Sequence, residues 1–182
     1  MVPDDALLIR PSSDGDVAAI TAIYAHHVLH GFASFEEVPP NEDEIGRRRG
    51  DVVARGLPYL VAERDGRVIG YCYASPFRPR VAYRFTLEDS VYIDHAEVGR
   101  GIGRRLLQAL LTQSTALGYR RMIAVIGGRE TLPSIRLHAA LGFTHAGVLD
   151  GVGFKFGRWV DIVLMQIALD DGNTTLPGTA GR

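Results

Sequence analysis

The 182-residue sequence predicts an α/β protein with a mixed central sheet of about seven strands flanked by helices. Three observations support this prediction. Strand-like and helix-like runs follow one another in the order β-α-α-β-β-β-α-β-α-β-β. Asp65-Gly66 separates two strand-like runs, which is a strong signal for an antiparallel hairpin. A glycine-rich stretch at 99–103 joins a strand-like run to an apolar-striped helix, which favours a parallel pairing near that loop.

The first third of the chain contains a strand and two helices. Residues 6–10 are typical of a short strand. Ser13 and Asp16 fit a capping box, in which the two side chains bond reciprocally to backbone amides of the first turn. Apolar residues then recur at helical spacing until Gly31. A second, arginine-rich helix begins after Asn41, a residue type that favours helix N-termini.

The middle of the chain is predicted to be mostly strand. The runs 57–64 and 67–74 flank the hairpin turn and are rich in residues that favour strands. Residues 77–81 contain two prolines and two arginines, which predicts a loop. Residues 82–93 are expected to form one long strand.

The last third alternates helices with strands. A proline near the first turn and a glycine just past the end mark the shorter of its two helices. The predicted elements are a helix over 102–117, a buried strand over 121–126, a helix over 133–141 and strands over 143–149 and 156–169. Residues 1–169 are predicted to form a single domain, and residues 170–182, rich in Gly, Thr and Pro, a disordered tail.

Composition excludes several classes of protein. Twenty basic and twenty-one acidic residues leave the net charge near zero, so bulk charge does not indicate a nucleic-acid partner. The single cysteine, Cys72, rules out a disulfide within the chain and is interpreted as a buried strand residue. No apolar run is long enough to span a membrane, and the N-terminus lacks the features of a signal peptide. The expected location is a reducing cytoplasm, with no membrane partner.

The glycine-rich stretch is a candidate anion site. Gly99, Gly101 and Gly103 allow backbone amides to approach a ligand, and Arg100 and Arg104 add positive charge. The spacing does not fit the dinucleotide motif G-x-G-x-x-G, because Arg104 stands at the sixth position from Gly99. No Gly-Lys-Ser/Thr of a P-loop is present. From spacing alone, tight packing between strand and helix explains the glycines equally well.

The stretch Val98-Gly-Arg-Gly-Ile-Gly103 resembles the Q/R-x-x-G-x-G/A motif of the GCN5-related N-acetyltransferase superfamily. In that family the loop holds the pyrophosphate of acetyl-CoA. Further stretches are similar to its phosphinothricin and methionine sulfoximine acetyltransferase branch: 82–93, 125–127, 134–138, 141–143 and 152–161. The resemblance covers about residues 7–169. It implies a single-domain acyl-CoA N-acyltransferase fold and an enzyme that moves an acetyl group to an amine.

The resemblance also implies residues that bind acetyl-CoA as cosubstrate. Backbone amides of the strand before the glycine loop would contact the pantetheine arm and polarise the thioester carbonyl. Two positions depart from the family pattern: Val98 replaces a usual Gln or Arg, and Thr131 replaces a usual Asn. The expected cofactor-binding residues are Val91, Tyr92, Ile93, Gly99, Arg100, Gly101, Ile102, Gly103, Arg104, Thr131 and Ser134.

Two residues are predicted to carry the proton transfers. Glu88 matches the family position that deprotonates the amine, and strand alternation separates it from Asp89 on the opposite face. His138, one helical turn after Ser134, matches the position that protonates the leaving thiolate. Without the resemblance, an exposed strand carboxylate and a helix-surface histidine remain open alternatives. No metal is expected, because the histidines show no ligand pattern: His26 and His30 lie one turn apart without a completing carboxylate or cysteine.

The resemblance implies a small anionic amino acid as the acceptor. The arginines that precede Glu88 agree with this, since arginine binds carboxylates and phosphinates in bidentate fashion, although each could equally be a solvated loop residue. The predicted substrate-binding residues are Phe77, Arg78, Val81, Ala82, Tyr83 and Glu88. The family is usually homodimeric, so Lys155, Arg158 and Trp159 are assigned to either the active site or a dimer interface. Two alternatives stay open: a different amine (a polyamine, an antibiotic or a protein N-terminus), or a non-catalytic acyl-CoA sensor.

Overall fold

The structure is a computed structural model that describes residues 7–177. Within these residues, seven strands form one mixed sheet in the order β1-β2-β3-β4-β5-β7-β6, which confirms the predicted fold class. The strands are β1 (Leu8–Pro11), β2 (Tyr59–Arg64), β3 (Arg67–Pro76), β4 (Thr86–Ile93), β5 (Arg121–Gly127), β6 (Thr144–Lys155) and β7 (Arg158–Ala168). The helices are α1 (Val17–His30), α2 (Glu42–Ala54), α3 (Ile102–Ala116) and α4 (Leu132–Ala140).

One pair of neighbouring strands in the described sheet, β4 and β5, runs parallel, and this pair separates halfway along its length. The register joins Thr86 to Arg121 at one end and Asp89 to Ala124 at the other. Beyond Asp89, β4 continues to Ile93 and β5 to Gly127 without pairing to each other. The backbone edges of both strands are therefore open to whatever occupies the gap.

The two faces of the sheet carry different helices. Tyr24 of α1 packs edge-on against Tyr92 of β4, with ring centroids 5.1 Å apart. On the other face, the Cys72 thiol lies 3.5 Å from the Leu106 carbonyl of α3, and Cys72 is fully buried as predicted. Because side chains alternate along a strand, Glu88 shares the α1 face with Tyr92, whereas Asp89 points to the opposite face.

The predicted helix starts are confirmed. The Asp16 carboxylate accepts a hydrogen bond from the Ser13 amide at 2.7 Å, completing the capping box before α1. The Asn41 side chain accepts from the Glu44 amide at 3.0 Å at the start of α2. Asp16 also holds Arg10 of β1 at 2.8 Å, which fixes the first strand to the helix that follows it.

Two predicted strands have wrong bounds. The run 82–93 begins as a 3-10 turn at Val81–Tyr83, and β4 starts only at Thr86. The predicted strand over 156–169 starts inside a hairpin turn, because Phe156 and Gly157 have φ angles of 52° and 73°. Left-handed backbone at both turn residues matches the twist of a two-residue hairpin, so β6 extends to Lys155 before the chain reverses.

The ends of the chain are partly described. Residue 6 of the first predicted strand lies outside the described residues. Residues 170–177 of the predicted tail are described, and they contact the sheet through Asp170 to Arg120 at 2.6 Å and Asn173 to Arg121 at 3.2 Å. Residues 178–182 lie outside the description, and the domain boundary stays a prediction. Among residues 7–177, no helix has the length and apolar character to cross a bilayer.

Candidate active site

A cavity of about 810 Å³ opens where β4 and β5 separate. It extends through the gap in the sheet, so both faces contribute to its walls. Its lining brings together residues from β4, the glycine-rich loop, the start of α3, α4, and the loop between α1 and α2. The predicted site residues that line it are Glu88, Val91, Tyr92, Ile93, Gly99, Gly101, Ile102, Gly103, Arg104, Thr131, Ser134 and His138.

The glycine-rich loop ends in an exposed helix N-terminus. Gly101 adopts a φ of 77° and forms the N-cap of α3, a backbone conformation that side chains with a Cβ rarely adopt. The first amide bonded within this helix belongs to Arg105, which donates to the Gly101 carbonyl at 3.2 Å. The amides of Ile102, Gly103 and Arg104 therefore have no intrahelical acceptor, an arrangement that, together with the helix dipole, favours the binding of an anion.

The two arginines of the loop differ in their surroundings. Arg104 lines the cavity, and its predicted contact with the cofactor stays a prediction. Arg100 does not line it, because its guanidinium pairs with the Glu97 carboxylate at 3.1 Å. Glu97 also pairs with Arg64 at 3.0 Å and Arg67 at 2.9 Å, so it links the loop to the β2–β3 hairpin. Arg100 thus stabilises the loop through its ion pair with Glu97 and does not face the cavity.

The open edge of β4 forms one wall of the cavity. Val91, Tyr92 and Ile93 lie beyond the last residue that pairs with β5. The Ile93 carbonyl is already bonded to Nε2 of His27 at 2.8 Å. The backbone groups predicted to contact the pantetheine arm lie along this open edge.

Glu88 is a half-buried carboxylate at the bottom of the gap. Within residues 7–177, no hydrogen bond or ion pair to its side chain is found. Burial, together with the neighbouring Asp89 charge, raises the pKa of Glu88, and the charge of Arg78 opposes this shift only partly. An unpartnered carboxylate of raised pKa, facing a cavity, suits proton abstraction from a bound amine.

His138 is buried between two protein oxygens. Its Nδ1 lies 2.8 Å from the Ser134 carbonyl and its Nε2 lies 2.9 Å from Oδ2 of Asp89. Burial disfavours the charged ring, but the hydrogen bond and charge of Asp89, with the Ser134 carbonyl, outweigh it and raise the pKa of His138. Because both partners are hydrogen-bond acceptors, the geometry favours a ring that is protonated on both nitrogens.

Asp89 is a residue of the site that was not predicted from the sequence. Its side chain is 2% exposed, and its second oxygen, Oδ1, has no hydrogen-bond partner among the described residues. Strand alternation places an acid here on the buried face together with Leu87, and that pattern is the signal that could have identified it. Asp89 is also the last residue of β4 that pairs with β5.

The α4 residues assigned to the cofactor have backbone roles as well. The Thr131 hydroxyl donates to the Gly127 carbonyl at 2.6 Å, which ties the start of α4 to the end of β5. Ser134 lines the cavity and supplies the carbonyl that holds His138. Thr131 therefore shapes the cavity wall in addition to lining it.

The predicted substrate residues mostly lie outside the main cavity. Arg78, Val81 and Tyr83 line a second cavity of about 320 Å³, beside Thr86 of β4. Phe77 packs edge-on against Tyr83, with ring centroids 5.8 Å apart. Neither Phe77 nor Ala82 lines either cavity. Three more arginines line the second cavity: Arg55, Arg80 and Arg84. Its described lining contains no carboxylate, so the cavity is strongly cationic.

Sequence patterns did not identify the loop between α1 and α2 as part of the site. Its residues Gly31 to Phe35 all line the main cavity. Lys155 contacts this loop and is 1% exposed. Trp159, in contrast, is 70% exposed and lines neither cavity. In the described part of the chain, no cluster of three or more His, Cys, Asp or Glu side chains is arranged to hold a metal ion.

Comparisons with known proteins agree with this geometry. The sequence profile of the Acetyltransferase (GNAT) family matches residues 20–143. A phosphinothricin N-acetyltransferase of Alcaligenes faecalis is 56% identical over 94% of this chain and 87% of the relative. An L-methionine sulfoximine/L-methionine sulfone acetyltransferase of Salmonella typhimurium is 40% identical over 91% of this chain and 96% of the relative.

A solved structure shares the whole architecture. The crystal structure of a GNAT superfamily phosphinothricin acetyltransferase from Sinorhizobium meliloti, in complex with AcCoA, superposes with a TM-score of 0.93. It is 46% identical in sequence, and the match covers 97% of this chain and 95% of that one. The split sheet, the open helix N-terminus and these matches lead to one conclusion: the chain belongs to the acetyltransferase (GNAT) family and is an acetyl-CoA-dependent N-acetyltransferase.

Proposed function

We propose that this enzyme transfers the acetyl group of acetyl-CoA to the primary amine of a small anionic amino acid of the phosphinothricin or methionine sulfoximine type. The observation that carries the proposal is the position of Glu88. This unpartnered carboxylate of raised pKa lines the cavity that opens between β4 and β5. Relatives named for these two acceptors match nearly the whole chain, which supports the acceptor class.

The cavity fits coenzyme A from the residues that line it. The free amides at the start of α3, with Arg104 beside them, suit a diphosphate. The open edge of β4 at Val91–Ile93 offers backbone groups to an extended amide-bearing chain, as a missing neighbouring strand would. When bound, acetyl-CoA supplies the acetyl group as a thioester.

The chemical step requires a neutral amine. An acceptor ammonium loses its proton to Glu88, directly or through one water, and the nitrogen lone pair then forms the new C–N bond. Backbone amides of the open β4 edge stabilise the negative charge that develops on the carbonyl oxygen. As the C–S bond breaks, the former amine nitrogen gives up its second proton while the thiolate takes up one, so the products are a neutral amide and a thiol. The proton held by Glu88 returns to solvent.

His138 is the proton donor assigned to that thiolate. Its raised pKa supports a proton being present on the ring. Both ring nitrogens are engaged by Asp89 and the Ser134 carbonyl, so donation to sulfur requires one of these bonds to open. In the arrangement described, the ring holds α4 against β4, and its charge is balanced by Asp89, which also lines the cavity.

The cationic second cavity supports an anionic acceptor. Arg78 and Arg80 line it, and the Arg78 charge reaches Glu88 closely enough to influence its pKa. A carboxylate or phosphinate bound there would keep its amine toward Glu88. A polyamine acceptor would be repelled by the same arginines, so the anionic class is favoured over the cationic one.

A homodimer is part of the proposal. β6 lies at the outer edge of the sheet, and its Phe154 pairs with Trp159 of β7 at 5.3 Å between centroids. These side chains are 56% and 70% exposed. Exposed aromatic pairs are typical of protein interfaces, so this edge suits a second copy of the chain.

A substrate panel tests the proposed function. Thiol release from acetyl-CoA is measured with phosphinothricin, methionine sulfoximine, glutamate and spermidine, and the product is identified by mass. We expect N-acetylation of one or both of the first two and no reaction with spermidine. Reaction with spermidine alone would favour a different amine class. Coenzyme A binding without turnover of any amine would favour the non-catalytic sensor.

A further inference from the structure

The loop between α1 and α2 forms a wall of the main cavity without belonging to a helix or a strand. Gly31, Phe32, Ala33, Ser34 and Phe35 all line the cavity, on the sheet face that also carries Glu88. Irregular backbone of this kind has no repeating hydrogen bonds to fix it. Its position therefore depends on contacts with other parts of the chain.

Lys155, at the end of β6, supplies the most buried of these contacts. Its Nζ donates to the Gly31 carbonyl at 2.9 Å and to the Ser34 carbonyl at 2.6 Å. The side chain is 1% exposed, and no carboxylate lies within ion-pair distance of it in the described chain. A cation removed from water is costly to bury, and here two carbonyl dipoles of one loop hold it. Lys155 thus joins Gly31 to Ser34 in the first part of the loop.

Phe35 lies directly on the backbone of the same hairpin. A Cβ atom added to Gly153 of β6 would lie 2.1 Å from Cε2 of Phe35, and one added to Gly127 would lie 2.7 Å from its Cε1. Only glycine at these two positions leaves room for the ring. The stretch 152–161 therefore contacts the loop at two places. The Phe35 ring packs on the backbone at Gly153, and Lys155 binds the loop carbonyls.

The aromatic neighbours add a third contact. The Arg158 guanidinium stacks over the Phe32 ring at 4.4 Å, and Phe156 packs edge-on against the same ring at 5.5 Å. The β6–β7 hairpin and the loop therefore form one unit, with the buried Lys155 ammonium at its centre. Burial lowers the pKa of this ammonium, an effect that the charges of Glu37 and Glu36 oppose.

We propose that Lys155 is a positioning residue for acceptor binding, which holds the Gly31–Phe35 wall at the width that admits a small amino acid beside Glu88. The inference rests on the proposed function, because it places the acceptor on the Glu88 side of the cavity. It assigns no contact between Lys155 and any substrate. The Lys155 ammonium affects the acceptor side of the cavity only through the loop carbonyls that it binds and through Phe35, which packs on Gly153.

The test compares Lys155→Met and Lys155→Arg with the matched surface variant Arg47→Met, which removes an exposed cation of α2. Steady-state kinetics use phosphinothricin, methionine sulfoximine and amino acids with longer side chains. For Lys155→Met we expect the acceptor KM to rise by up to roughly 10- to 100-fold, the limit set by losing the hydrogen bonds from a charged group that hold the loop in its binding position. The affinity for acetyl-CoA, measured by calorimetry, and most of kcat should be retained. Lys155→Arg should restore part of the acceptor affinity.

A second pair of variants keeps Lys155 and covers the case in which Lys155→Met does not fold. Gly153→Ala displaces the Phe35 ring from the backbone on which it packs, and Phe35→Leu replaces that ring by a smaller side chain. Both should change the acceptor KM and the preference for side-chain length, with acetyl-CoA affinity kept. Unchanged acceptor KM and preference in Lys155→Met, or in this pair, would overturn the inference. If the wild type acetylates no amine of the panel, the proposed function fails and the inference falls with it.

Discussion

Nε2 of His138 lies 2.9 Å from Oδ2 of Asp89, and the two side chains are 4% and 2% exposed. Asp89 is the last residue of β4 that pairs with β5, so it lies where the cavity begins. The ion pair therefore holds α4 against β4 at this position. A buried pair of this kind is strongly destabilising to break, because a single buried charge is left behind. The pair therefore fixes the geometry of the split as well as the charge beside it.

Asp89→Asn is expected to lower the pKa of His138. The substitution removes the charge and the ionised acceptor that outweigh the burial of the ring, so burial then dominates. NMR titration of the His138 ring signals, assigned with His138→Gln, measures the shift. The other histidines of the same spectrum serve as the internal control. An unchanged His138 titration in Asp89→Asn would contradict the arrangement.

The same pair predicts how stability depends on pH. The folded state raises the pKa of His138 above its ordinary value of 6.5, so its contribution to stability is complete below that value. The contribution is lost as pH rises through the folded pKa. Urea unfolding followed from about pH 6 to about pH 9 should show this loss in the wild type. His138→Gln should flatten that part of the curve, and an equal slope in both proteins would argue against the pair.

Glu88→Gln should lower kcat/KM by roughly 10²–10⁴-fold, the usual contribution of a general base. In the wild type, activity falls on the acid side as Glu88 becomes protonated. Because its pKa is raised above 4.5, this limb lies at higher pH than for an exposed glutamate. The variant should lack the limb while binding acetyl-CoA as tightly as the wild type. Retained activity with an unaltered pH profile would remove Glu88 from the mechanism.

The sheet and the glycine-rich loop that opens α3 could be predicted from the sequence, because both follow from local patterns. The roles of Glu88 and His138 came from the family resemblance and stay predictions. Alternation along β4 placed Glu88 and Asp89 on opposite faces, and the structure agrees. The partnership of Asp89 with His138 spans 49 residues and depends on how α4 packs, which no local pattern records.

Two other features, the gap between β4 and β5 and the buried position of Lys155, also could not be predicted from local sequence patterns. The gap between β4 and β5 is a relation between two strands, and each strand on its own has ordinary strand sequence. The buried position of Lys155 depends on the α1–α2 loop folding over the β6–β7 hairpin, more than 120 residues away in sequence. The hairpin turn at Phe156 was missed because an aromatic residue seldom adopts the positive φ found there.

Gly101→Ala should weaken coenzyme A binding beyond its effect on stability. At φ 77° an alanine costs roughly 1–2 kcal/mol of backbone strain, and relaxation of that strain moves the amides at the start of α3. Gly56→Ala is the matched control, since Gly56 has φ 70°, equally open surroundings and no place in either cavity. Calorimetry should show lost affinity for Gly101→Ala only. Equal affinities in the two variants would place the diphosphate elsewhere.

Substitution of the cavity arginines should separate anchoring of the acceptor from tuning of the base. Arg80→Gln should raise the KM for an anionic acceptor roughly 10- to 100-fold, the value of one or two charge-assisted hydrogen bonds. Its effect on the carboxamide analogue of the same acceptor should be small, because that analogue lacks the charge.

Arg78→Gln should do this and more, because Arg78 also lowers the pKa of Glu88. Without that charge the Glu88 pKa rises further, so the acid limb of the rate profile should move to higher pH in Arg78→Gln and stay in place in Arg80→Gln. Arg47→Gln, on the exposed face of α2, controls for loss of positive charge alone. If the three variants share one KM and one pH profile, the cationic cavity has no part in acceptor binding, and the anionic acceptor class loses its structural support.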